Sequence, residues 1–161
     1  MNRGDRLALR GENGSGKSTI LKILTGENIA YSGKVIVGSN LSISYVPQDT
    51  SFLGGSFSDF ILNEGIDETI FRTLLSKLDM DAMDFAKNLD ELSRGQKKKV
   101  LIAKSLSCSA HIYIWDEPLN YIDVYSRIQI ENLIKEYRPT MVFVEHDLTF
   151  DENVATKAVE L

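Results

Sequence analysis

Gly11-Glu12-Asn13-Gly14-Ser15-Gly16-Lys17-Ser18 is the stretch whose reading decides the fold. It follows the short apolar run Leu7-Ala8-Leu9 and precedes Thr19-Ile20-Leu21-Lys22-Ile23-Leu24, which has a helical pattern. A strand before it and a helix after it give the spacing G-x-x-x-x-G-K-S its meaning, a loop that wraps phosphate. Three glycines let the backbone turn inward, so that successive N–H groups face anionic oxygens, and the helix N-terminus adds partial positive charge. The candidate phosphate ligands are Asn13, Gly14, Ser15, Gly16, Lys17, Ser18 and Thr19. Lys17 would reach the β- and γ-phosphates, and the Ser18 hydroxyl would ligate magnesium.

Outward from this loop, the composition sets bounds. The 161 residues suit one domain with a substantial core, and 43% hydrophobic with 25% charged residues is ordinary for a globular chain. No apolar run approaches the ~18 residues needed to cross a bilayer. Asn2-Arg3-Gly4-Asp5-Arg6 leads straight into the first strand and does not read as a signal peptide. The single cysteine, Cys108, excludes an internal disulfide and suits a reducing, cytoplasmic setting. A net charge of −5 gives no global attraction to nucleic acid or acidic membranes.

In order along the chain, residues 5–10 read as a strand and roughly 17–25 as a helix closed by Gly26. Lys34-Val35-Ile36-Val37-Gly38 and Leu41-Ser42-Ile43-Ser44-Tyr45-Val46 alternate like an antiparallel hairpin with one buried face. Pro47-Gln48 stops the second of these. From about 56 to 88 the pattern is helical, with Phe57, Phe60 and Ile61 on one face, Ile70, Phe71, Leu74, Leu75 and Leu78 on another, and Met80, Met83 and Phe85 packed beneath. This segment reads as a small helical insert between two pieces of α/β core.

Leu92-Ser93-Arg94-Gly95-Gln96 opens the next helix, with Ser93 as N-cap, and Lys97-Lys98-Lys99 reads as a solvated face. His111-Ile112-Tyr113-Ile114-Trp115 is almost wholly apolar, as expected of a parallel strand covered on both faces, and it ends in Asp116-Glu117-Pro118. Two carboxylates there, in a chain with a phosphate loop, suit a magnesium partner and a water-activating base. Asp123 to Tyr137 reads as an amphipathic helix capped by Asp123, with Tyr125, Ile128, Leu133, Ile134 and Tyr137 inward. The strand 140–145 ends at His146-Asp147, and 156–161 forms a last strand. His146 thus falls where doubly wound sheets place their ligands, beyond the carboxyl edge of the strands.

The ordered set of phosphate loop, Gln48, Leu92-Ser93-Arg94-Gly95-Gln96, Asp116-Glu117 and His146 resembles an ATP-binding-cassette (ABC) ATPase over most of the chain. In that family the signature is usually L-S-G-G-Q, and here Arg94 replaces the first Gly. Glu117-Pro118-Leu119-Asn120-Tyr121-Ile122-Asp123 is similar to the E-P-T-N-H-L-D of the soluble ABC-F proteins. Tyr113 to Asn120 most resembles the antibiotic-resistance ABC-F proteins, which protect the ribosome against drugs such as pleuromutilins, lincosamides and streptogramin A.

The resemblance implies an α/β fold of the P-loop NTPase class: one ABC-type nucleotide-binding domain over 1–161, with its α/β core at 1–48 and 98–161 and a helical subdomain at about 49–97. It implies ATP and Mg2+ as cofactors, with Ser18, Gln48 and Asp116 around the metal, Glu117 on the attacking water and His146 on the γ-phosphate. Ser93, Gly95 and Gln96 would complete the site of an opposite cassette, so the implied partners are a second cassette and, for a longer parent, the ribosome and its rRNA. It further implies a second cassette of a tandem pair, lacking the family's upstream strands and the aromatic that stacks on adenine. The alternatives are the nucleotide-binding subunit of a membrane transporter, or a nucleotide-gated interaction module that does not turn over in isolation.

Overall fold

The computed structural model describes residues 1–161. Five strands form one wholly parallel sheet: β1 (Arg6–Arg10), β2 (Ile43–Val46), β3 (Ile112–Asp116), β4 (Met141–Val144) and β5 (Lys157–Glu160), in the order β2-β3-β4-β1-β5. Helix α1 (Lys17–Leu24) leaves the loop after β1. The insert holds α2 (Phe57–Glu64), α3 (Glu68–Lys77), the short α4 (Ala82–Phe85) and a 3-10 turn at Leu89–Glu91. Then come α5 (Arg94–Ser107), α6 (Val124–Tyr137) and α7 (Leu148–Val154). No helix is long and apolar enough to cross a membrane.

Both sheet faces are covered, which is why β4 is buried along its whole length. On one face Leu21 of α1 packs with Leu9, Ile114, Val142 and Val144. On the other, Trp115, Phe143 and Val46 share a continuous core with Val100 and Ile102 of α5, Ile130 and Leu133 of α6, and Phe57, Phe71 and Leu75 of the insert. The insert is therefore packed onto the sheet through α5. Its helices begin on side-chain caps, Ser56 accepting from the Asp59 amide and Asp67 from the Ile70 amide.

The structure corrects the expected hairpin. Residues 34–38 form no strand, and β2 pairs in parallel with β3 rather than antiparallel with its own upstream neighbour. The alternation misleads because its polar member points inward: Ser44 is buried and its hydroxyl donates to Ser105 Oγ of α5 at 2.8 Å, where the Trp115 indole also donates at 3.0 Å. A polar residue paired inside the protein has the same sequence signature as one facing water. Tyr125, Ile128 and Tyr137 are likewise exposed, and α6 instead buries Ser126, Ile130, Leu133 and Ile134. Ser126 fills the first inward position because its hydroxyl donates to the Leu78 carbonyl at 3.0 Å. Ile70 and Met83 also stay exposed, while Met80 is buried.

Lys98 and Lys99 are buried, not solvated. The Lys99 ammonium lies 2.7 Å from Asp123, whose carboxylate also accepts from the Ser126 amide and hydroxyl at 2.8 Å each. Burial pushes the Asp123 carboxyl up, but these donors outweigh it and hold the pKa at about 2. An unfolded Asp titrates near 3.9, so this charge stabilises the fold above about pH 4, and the contribution is lost as pH falls through about 2. The side chain is 47% exposed, so solvent screening limits the effect to about 1 kcal/mol. Urea midpoints should therefore show Asp123→Asn less stable than the parent at pH 6, with the gap closing by pH 2.

Candidate functional site

The loops after β1, β3 and β4 all leave the carboxyl edge of the sheet, because the strands are parallel. This brings the phosphate loop, Asp116-Glu117 and His146 together from three distant parts of the chain. In the phosphate loop Gly14 and Gly16 have φ of 85° and 100°, a left-handed backbone that favours glycine. Gly16 is the N-cap of α1 and offers no side-chain cap, so the Lys17, Ser18 and Thr19 amides begin the helix without an internal acceptor. These amides at a positive dipole end form an anion seat. Lys17 is buried, and its ammonium donates to the Gly11 and Glu12 carbonyls at 2.9 and 2.8 Å. The cation is thus held under the loop it would share with a phosphate.

Ser18 Oγ donates to Asp116 Oδ1 at 3.1 Å. Asp116 is only 2% exposed, and its carboxyl is raised above the usual range mainly by burial. The Ser18 hydrogen bond opposes that rise, while neighbouring Glu117 adds to it. A buried carboxylate beside a hydroxyl, both hard oxygen donors, fits magnesium, which takes few protein ligands and fills its octahedron with water and phosphate. No cluster of three or more His, Cys, Asp or Glu side chains is arranged to hold a metal ion.

Glu117 is the most constrained residue of the site. It is a non-glycine residue at φ 47°, and its amide donates to the Val144 carbonyl at 3.0 Å. Its Oε2 accepts from Gln48 Nε2 at 2.7 Å and from Asn120 Nδ2 at 2.5 Å, while His146 Nε2 lies 3.4 Å from Oε1. Gln48 and His146 therefore meet on the same carboxylate. Two residues given no role in the sequence, Glu145 and Arg127, and one expected to face solvent, Lys98, hold this arrangement in place. Glu145 accepts from the Leu119 amide at 3.0 Å, and Arg127 donates to the Ile122 carbonyl at 3.1 Å and to Asp147 at 2.6 Å. Lys98 donates to the Pro47 and Gln48 carbonyls at 2.8 and 3.1 Å. Burial lowers the Lys98 pKa to about 8, with Asp116 and Glu117 opposing the drop.

Ser93, Gly95 and Gln96 lie apart from this cluster, at the start of α5. Ser93 and Gln96 form a reciprocal capping box, and the Gln96 side-chain Nε2 also donates to Asp84 of α4 at 2.8 Å. The Arg94 guanidinium sits 5.4 Å from the Tyr121 ring centroid and donates to its hydroxyl at 3.2 Å. A Cβ on Gly95 would overlap the Tyr121 carbonyl oxygen, so α5 and the 120–122 turn approach as closely as a glycine allows. Tyr121 is itself at φ 67°. Gly95→Ala should consequently cost about 1–3 kcal/mol in denaturant unfolding, the scale of overpacking, by displacing that turn.

Comparison with known proteins agrees with this geometry. Residues 1–120 match the family model described as "ABC transporter". The ATP-binding protein Uup of Buchnera aphidicola subsp. Acyrthosiphon pisum is 36% identical over 165 residues, covering 96% of this chain and 27% of its own length. ABC transporter F family member 2 of Arabidopsis thaliana is 28% identical over 165 residues, covering 99% of this chain and 24% of its own. The archaeal ribosome recycling factor aABCE1, solved in complex with the ribosomal stalk protein aP1, shares the fold at a TM-score of 0.79 and 28% identity, covering 99% of this chain and 32% of that one. The chain spans about a quarter of the length of the two curated relatives. A phosphate loop, a buried aspartate and a constrained glutamate on one edge of a parallel sheet, with a family match over residues 1–120, make this chain an ATP-binding α/β domain of the ABC transporter family.

Proposed function

We propose that this chain is the ATP-hydrolysing cassette of an ABC-F protein that works on the ribosome in the cytoplasm, within the antibiotic-resistance group that protects ribosomes from drugs. The observation that carries the hydrolytic reading is the Glu117 carboxylate, fixed by Gln48, Asn120 and His146 next to the Ser18–Asp116 pair. The Asn120 contact favours the ABC-F branch, since it is the asparagine of the E-P-x-N sequence that steadies the glutamate. Relatives named as ABC-F and as a ribosome recycling factor support the same direction.

In this reading the amides of residues 13–19 bind the phosphates, and Lys17 leaves the Gly11 and Glu12 carbonyls to neutralise the β- and γ-phosphates. Ser18, Asp116 and the Gln48 amide oxygen would hold magnesium, which when bound would supply charge compensation for the triphosphate. Glu117 accepts the proton of the attacking water, and His146 donates to the γ-phosphate. Phosphoryl transfer depends on positioning and charge rather than on covalent chemistry, so the fixed orientation of Glu117 is the decisive element. Ser93, Gly95 and Gln96 lie at a separate edge and would serve the nucleotide of a second cassette, in tandem or head to tail. The competing reading, a transporter's nucleotide-binding subunit, is favoured by the breadth of the matched family.

Glu117→Gln should keep MgATP affinity while lowering phosphate release by ~10²-fold or more, the scale of a lost general base, measured by calorimetry and a phosphate assay. Equal turnover of variant and parent would remove Glu117 from that role. The partner is decided separately: Glu117→Gln with ATP should pellet with ribosomes in a sucrose cushion, and enrichment with a membrane fraction instead would favour the transporter reading.

A further inference from the structure

Lys98 stands out among the groups that the hydrolytic chemistry leaves unused. It is 1% exposed, one of the largest fully buried side chains in the molecule, although it belongs to a run of three lysines. Its ammonium reaches across from α5 to cap two successive main-chain carbonyls, Pro47 and Gln48, at 2.8 and 3.1 Å. These carbonyls belong to the turn that ends β2, and the same turn carries the Gln48 side chain to Glu117 Oε2 at 2.7 Å. An unbroken path therefore runs from the start of α5, where Ser93 and Gly95 lie, through Lys98 to the carboxylate.

The length of α5 makes this path stiff. Ser93 caps the helix and Lys98 follows five residues later, about 7.5 Å along the axis at 1.5 Å per residue. A buried ammonium with carbonyl acceptors is poorly replaced by water, which gives the contact a defined geometry.

We propose that Lys98 is a positioning residue for hydrolysis, which fixes the Pro47–Gln48 turn so that Gln48 orients Glu117. The proposal rests on the ATP-hydrolysis reading given above and adds the link through which α5 acts on it. Lys98 touches no nucleotide in this scheme, so nucleotide affinity and turnover separate on its removal.

The test uses the full chain with Lys98→Met, which removes the donors at similar volume, and Lys98→Arg, which keeps them. MgATP affinity, single-site turnover and amide hydrogen exchange are measured on each. Lys98→Met should bind MgATP within threefold of the parent, turn over at least tenfold more slowly, and exchange amides in 48–51 at least tenfold faster with those of 112–116 unchanged. Lys98→Arg should recover most of the turnover. Parent-like turnover and exchange in Lys98→Met would overturn the proposal, as would equal losses in affinity and turnover. Should Lys98→Met not fold, Lys98→Gln, whose uncharged NH2 donates from a shorter side chain, is measured in the same way and should fall between parent and the tenfold loss; parent-like values there overturn the proposal. If the parent itself shows no turnover, the hydrolytic reading fails, and parent-like exchange at 48–51 in the variant removes the positioning role as well.

Discussion

Asp116 is carried out of water at the end of β3, and placing a charge there is costly unless something compensates it. The compensation within the chain is thin: one hydroxyl from Ser18, and the field of Lys98 and Lys22. Asp116 is thus left with a single hydrogen-bond donor from a side chain, Ser18. The remaining architecture keeps the carboxylate in place. The parallel sheet aims β3 at the phosphate loop, α1 delivers Ser18 from below, and α5 closes the opposite face with a lysine tucked under the Gln48 turn.

Glu117 follows immediately, and its backbone pays for its orientation by adopting a left-handed conformation that costs roughly 1–2 kcal/mol for a residue with a Cβ. Such a conformation persists only where surrounding contacts over-determine it. Here they come from four directions: Gln48 after β2, Asn120 within the turn, His146 after β4, and the main chain of Val144. Arg127 and Glu145 then hold the turn itself. The acid is thus preorganised by elements scattered over a hundred residues of sequence.

What was legible in the sequence was local. The phosphate loop, the acid pair ending an apolar strand and the caps Ser93 and Asp123 are short patterns whose meaning is set by near neighbours, and each lies where its pattern places it. The failures share one cause, polar groups satisfied by partners remote in sequence. Ser44 fell on the polar side of an alternating run and Ser126 was not among the inward residues expected of α6, because Ser105 and the Leu78 carbonyl cannot be inferred from adjacent residues. Lys98 and Lys99 looked like a solvated charge run for the same reason. The stacking of Arg94 on Tyr121 joins two positions 27 residues apart, and no periodicity announces it.

The order β2-β3-β4-β1-β5 has a further consequence for how the chain is made. Among the five strands β1 is an inner one, and both of its neighbours, β4 and β5, come from residues 141–160. Until those are synthesised, β1 lacks its two partners in this sheet. Pairings of such high sequence separation close slowly and leave apolar strand surface uncovered meanwhile. Helix α1 and the insert can form from local contacts, whereas the sheet edge that carries the phosphate loop depends on β4 and β5.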